Sequence, residues 1–116
     1  MVTHGDLQHH RWKLVKVNGE PVADNDWPMV PVLDFGERLF VEGNDGCRTF
    51  SGFAALTGQT IAFQGLEITK TRCDDSRYVK DSFSIDGEWK LSISESAYLR
   101  LENERWSLVY KLDDWR

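Results

Sequence analysis

Gly43-Asn44-Asp45-Gly46-Cys47-Arg48-Thr49-Phe50-Ser51-Gly52 holds three glycines, an Asn-Asp pair and one of two cysteines within ten residues. Segments that read as strands flank it. The second cysteine, Cys73, lies in Thr69-Lys70-Thr71-Arg72-Cys73-Asp74-Asp75. Gly43, Gly46 and Gly52 free the backbone to take positive φ at a bulge or corner, while Asn44 and Asp45 supply local turn bonds. The stretch therefore reads as the corner where a sheet bends. A phosphate-cradling loop is the competing reading, but the Lys-Ser/Thr pair and the following helix that such chemistry requires are missing.

Outward from this corner, alternation at period two dominates. Arg11 to Val17 reads as a strand, with Trp12 and Leu14 on one face and Val15 and Val17 on the other, as expected of a strand packed on both sides. Asn18-Gly19 signals a tight turn. Glu20 to Pro31 holds all three prolines and reads as an irregular loop. Strands follow over Val30–Phe35 and Arg38–Glu42. A further one over Phe50–Leu56 is expected to break at Gly52. Thr57-Gly58-Gln59 is a short hairpin connection into Thr60–Gln64, and Leu66–Arg72 comes next. A single short helix fits after Cys73, over Asp74–Phe83, with Asp74, Asp75 or Ser76 capping it. Strands resume over Trp89–Ile93, Tyr98–Leu101 and Trp106–Leu112. In the last of these, Trp106, Leu108, Tyr110 and Leu112 face one way. Seven or eight short strands predict a mainly β fold: a curved antiparallel sheet or open β-barrel with at most one short helix. The 116 residues make one domain.

Charge and composition exclude some functions. A net charge of -5 with 14 scattered basic residues argues against nucleic acid, which is bound through clustered Lys and Arg. No run approaches the roughly 18 apolar residues of a membrane span. The first ten residues lack the apolar centre of a secretory signal, so the chain is either cytoplasmic or a mature form trimmed of its leader. His4, His9 and His10 lack ligand spacing, and two cysteines fall short of a zinc set, so neither a metal nor a cofactor is expected. Cys47 as a nucleophile needs a base, and no histidine follows it. The even cysteine count is compatible with a Cys47–Cys73 bridge, whose loop of about 27 residues is worth roughly 3.5 kcal/mol. Two buried free thiols are the alternative. Trp12, Phe50, Phe63, Trp89, Trp106 and Tyr110 either fill a small barrel or line a cavity for an apolar ligand.

In order along the chain, Trp12-Lys13-Leu14-Val15, Asn18-Gly19, Gly46-Cys47-Arg48-Thr49-Phe50-Ser51-Gly52, Ile61-Ala62-Phe63, Thr69-Lys70-Thr71-Arg72-Cys73 and Leu99-Arg100-Leu101 resemble the META/HslJ-type domain. The resemblance spans residues 7–112, which it implies as the core of the domain, and Arg48 stands where that family usually has Asn. The resemblance implies a small curved β-sheet or open barrel with a helix near its mouth. It also implies a bacterial envelope protein, often a lipoprotein, with members linked to heat shock, antibiotic tolerance, motility or virulence. No catalytic residues are established for the family. Its fold is similar to that of pilot lipoproteins that chaperone secretins. The expectation is a monomeric, non-enzymatic domain in the periplasm or attached to the outer membrane, with the cytoplasm as the alternative. It would bind a partner protein or an apolar ligand. A lipocalin-like carrier of a lipid or small apolar molecule is the second expectation.

Overall fold

A computed structural model describes residues 2–23, 29–69 and 85–113. Near the N-terminus, His4–Leu7 forms one short helix, α1. Thr3 and Asp6 cap it reciprocally: the Thr3 N–H donates to Asp6 Oδ2 at 2.9 Å and the Asp6 N–H to Thr3 Oγ1 at 3.3 Å. The helix drives Leu7 fully into the core. Sequence periodicity gave no hint of it, because one turn is too short to repeat. The helix expected over Asp74–Phe83 falls outside the described residues.

The strands are β1 (His10–Val17), β2 (Glu20–Pro21), β3 (Val32–Phe35), β4 (Phe40–Asn44) and β5 (Thr49–Thr57). They continue with β6 (Thr60–Phe63), β7 (Glu67–Ile68), β8 (Gly87–Ile93), β9 (Tyr98–Glu102) and β10 (Ser107–Leu112). Neighbours run in the order β10-β9-β8-β6-β5-β4-β3-β1, all antiparallel, and β1 pairs with β10. The fold is thus mainly β, and the sheet closes fully into an eight-stranded barrel. β2 pairs with the end of β1 at Lys16 and Val17, and β7 pairs with β5 off this path. Closure leaves no edge in the main circuit, and eight strands enclose a space that side chains can fill. Trp12, Leu33, Phe35, Val41, Phe63, Trp89, Leu101, Leu108 and Tyr110 fill it, each at most 2% exposed.

Several local expectations change. β5 runs unbroken through Gly52, where a Cβ would sit 2.9 Å from Leu66 Cδ2. The glycine is there for close packing, not to stop the strand. Gly43 is under the same pressure in β4, since a Cβ there would collide with the Val32 carbonyl oxygen. Residues 37–39 form a 3₁₀ turn rather than strand, with Arg38 at φ 56° and Leu39 at φ 58°. Gln8 Oε1 accepts the Arg38 N–H at 2.7 Å and ties this turn to the segment after α1. In β1 the register slips between Leu14 and Lys16. Leu14 lies opposite Tyr110, Lys16 opposite Val109 and Val17 opposite Leu108. Val15 is therefore the extra residue of a β-bulge. Val17 packs against the core, so Val15 and Val17 do not share a face, and no second layer covers the outside of β1 among the described residues.

Candidate functional site

Within Gly43 to Gly52 the chain turns only between Asn44, the last residue of β4, and Thr49, the first of β5, and Gly43 and Gly52 lie inside those strands. Asn44 and Asp45 are both buried, at 8% and 6% exposure. Burying amide and carboxylate groups is costly unless every polar atom is engaged. The Asn44 Nδ2 donates to the Val30 carbonyl at 2.9 Å, and Asn44 Oδ1 accepts the Gly46 N–H at 2.8 Å. Asp45 Oδ1 accepts the N–H groups of Cys47 and Arg48 at 3.1 and 2.8 Å. Its other oxygen pairs with the Arg48 guanidinium at 3.4 Å. Gly46, at φ 104°, turns the chain between them. Asn44 and Asp45 thus hold the loop's shape and tie it to Val30, while the buried Arg48 Nε has no hydrogen-bond partner among the described residues.

Cys47 is half-buried on the same loop and is not a free thiol. Cys73, with Asp74 and Asp75, lies outside the described residues, so the expected bridge is not placed here.

The six aromatic residues named from the sequence are brought together, but as packing. Trp12, Phe50, Phe63, Trp89 and Tyr110 belong to one buried cluster, and half-buried Trp106 packs against it from just before β10. Trp89 Nε1 donates to the Ile85 carbonyl at 2.8 Å. Trp12 Nε1 and Tyr110 Oη have no hydrogen-bond partner among the described residues. Burial, with the Asp45 carboxylate adding to it, holds the Tyr110 phenol far above its ordinary range.

What the sequence did not reveal is a groove of about 870 Å³ on the outer face of the barrel. It crosses β1, β10, β9 and β8, with Pro21 of β2 at one side. Val15 and Val109, both half-buried, form an apolar floor, which Ile93, itself packed against the core, also lines. The exposed cations Lys16, Arg100 and Lys111 stand around it. The bulge at Val15 makes this possible: it turns Lys16 outward beside Val109 and leaves Val15 at the groove. Alternation alone would have put Lys16 on the same face as Leu14. No sequence signal locates a bulge that depends on the partner strand.

No helix among the described residues is long and apolar enough to cross a membrane. Among the same residues, no three His, Cys, Asp or Glu side chains group as metal ligands.

Comparison with known proteins agrees with this architecture. The model of the META domain family matches residues 5–105. Heat shock protein HslJ of Escherichia coli (strain K12) is 32% identical over 123 residues, spanning 97% of this chain and 81% of that protein. A solved NMR structure, 29% identical in sequence, superposes with a TM-score of 0.76 over 98% of this chain and 97% of that one.

Proposed function

The chain belongs to the META domain family, and from that premise we propose that it is a non-enzymatic, stress-associated domain of the bacterial envelope, acting as a monomer that holds a partner protein or an apolar ligand. The observation that carries this reading is the division of labour in the barrel. Its interior is taken up by a single cluster of its own side chains, while a ligand-sized concavity with an apolar floor lies outside. The loop with the most chemistry-bearing residues uses them to hold its own shape. The heat-shock name of the Escherichia coli relative supports the stress association. An envelope location is supported by the state of Cys47, which is not a free thiol; pairing with Cys73 suits an oxidising compartment. A lipocalin-like carrier needs Trp12, Phe63, Trp89 and Tyr110 to stand apart around a guest, and their packing into one core favours the outer surface instead.

Photo-crosslinking in heat-stressed bacterial cells tests the proposal. A photoreactive residue at Ser92 or Tyr98, on the outer face, is expected to give a reproducible adduct, and the same residue at exposed Glu95 far less. Purified protein that turns over a substrate, with the activity lost in Asp45→Ala, would sink the non-enzymatic reading.

A further inference from the structure

On a chain with a net charge of -5, the outer groove gathers three cations and no carboxylate among the described residues that line it. The strand register orders them. Lys16 lies opposite Val109, Val109 opposite Arg100, and Arg100 opposite Ser92, so one row across four strands reads cation, apolar, cation, hydroxyl. The adjacent row places Lys111 opposite Tyr98. Adjacent strands lie about 4.8 Å apart, which puts the backbones of Lys16 and Arg100 roughly 10 Å apart with Val109 between them. Arg100 meets Glu102 at 3.8 Å, a long and solvent-exposed pair that holds the guanidinium only weakly. Acidic residues collect elsewhere: Asp34 of β3 is opposite Glu42 of β4, and Glu67 of β7 continues the row through Ser51.

From this arrangement we propose that the groove docks an extended, acidic segment of a partner protein, with an apolar side chain on Val109 between two carboxylates that reach Lys16 and Arg100. The inference rests on the partner-holding reading above and names the surface and the chemistry of the partner. Charge complementarity selects an anionic occupant. The shape selects a polypeptide over a lipid. The cations are spread on both sides of an open floor, so a fatty acid would answer one of them and leave its chain half in water. An extended chain presents alternate residues to one side at about 7 Å intervals, so glutamates four apart with a leucine midway match the row within the reach of Lys and Arg side chains.

The probe is the blocked peptide Ser-Glu-Ser-Leu-Ser-Glu-Ser, titrated at low salt into ¹⁵N-labelled full-length protein and followed by amide chemical shifts. Saturable shifts are expected at Lys16, Ile93, Arg100 and Val109 to Lys111. Affinity should fall about tenfold in Lys16→Glu/Arg100→Glu and again as salt is raised. The dispersed spectrum of that variant checks its fold, since both side chains are exposed. A glutamine-for-glutamate peptide that binds equally well overturns the proposal. So does sodium dodecanoate saturating the same amides while the peptide leaves them still, or dilution of the protein alone shifting them, which would assign the groove to a second copy. Peptide shifts confined to another face would remove this site and leave the partner-holding reading standing.

Discussion

Tyr110 shows what one atom contributes in a closed barrel. Its ring is fully buried and its hydroxyl lacks a partner among the described residues. A buried hydroxyl without a partner costs about 1–3 kcal/mol. Tyr110→Phe keeps the ring and removes that cost, so at neutral pH urea unfolding should show stability unchanged or raised by about 1 kcal/mol. The alkaline arm sharpens the test. Burial and the Asp45 carboxylate raise the folded-state pKa, while the unfolded phenol titrates near its ordinary value of about 10. Below that pH both states hold the proton and stability is flat with respect to this group. Above it the unfolded chain loses the proton first, so stability falls as pH rises, by up to about 1.4 kcal/mol per unit. Phe has no such proton, and the variant's advantage should widen beyond pH 10. Parallel stability curves for the two proteins would refute the assignment. Alternation with Leu108 placed Tyr110 inside from sequence alone. The influence of the Asp45 charge on it was not legible, because the two residues stand 65 positions apart.

At the level of elements, short-range signals were readable where one segment decides its own geometry. Asn18-Gly19 is such a case: φ values of 50° and 85° at the two residues make the two-residue turn that joins β1 to β2. The inward face of β10 is another, since Leu108 and Tyr110 are fully buried as alternation predicts. Illegible features need two segments at once. Neither the bulge at Val15 nor the 3₁₀ turn at residues 37–39 follows from local propensity, because each answers to a neighbour's register or to the Gln8 side chain. Asn18 does more than turn the chain. Its N–H donates to the Ser107 carbonyl at 2.7 Å, and its Oδ1 accepts the Ser107 N–H at 2.7 Å, which fastens the end of β1 to the start of β10. Asn18→Ala loses the side-chain acceptor and places a Cβ residue without that compensation in the left-handed region, so it should cost about 1–2 kcal/mol. Asn18→Gly keeps the turn and loses only the acceptor, so urea titration should place it between Ala and the native protein. A glycine variant as unstable as the alanine variant would show that backbone conformation is not the issue.

Over the whole molecule, the decisive contact is the least local one. Strands β1 and β10, at opposite ends of the chain, must find each other to close the barrel, and loop entropy opposes such pairing until the intervening strands are in place. A covalent link in the middle of the chain would lower that barrier by limiting the unfolded ensemble. The corner loop is suited to carry it: Asp45 and Asn44 fix the backbone around Cys47, whose sulfur is not a free thiol. We therefore predict that native protein titrates with no free thiol, and that Cys47→Ser lowers stability by roughly 3.5 kcal/mol through the lost loop constraint. If Cys47 and Cys73 are one bond, Cys73→Ser alone and the double variant should each match that loss, because the second substitution has nothing left to break. Native protein under full reduction should fall to the same level. Losses that add in the double variant, or a stability indifferent to reductant, would mean the two sulfurs act separately and the closed barrel stands on its aromatic core alone.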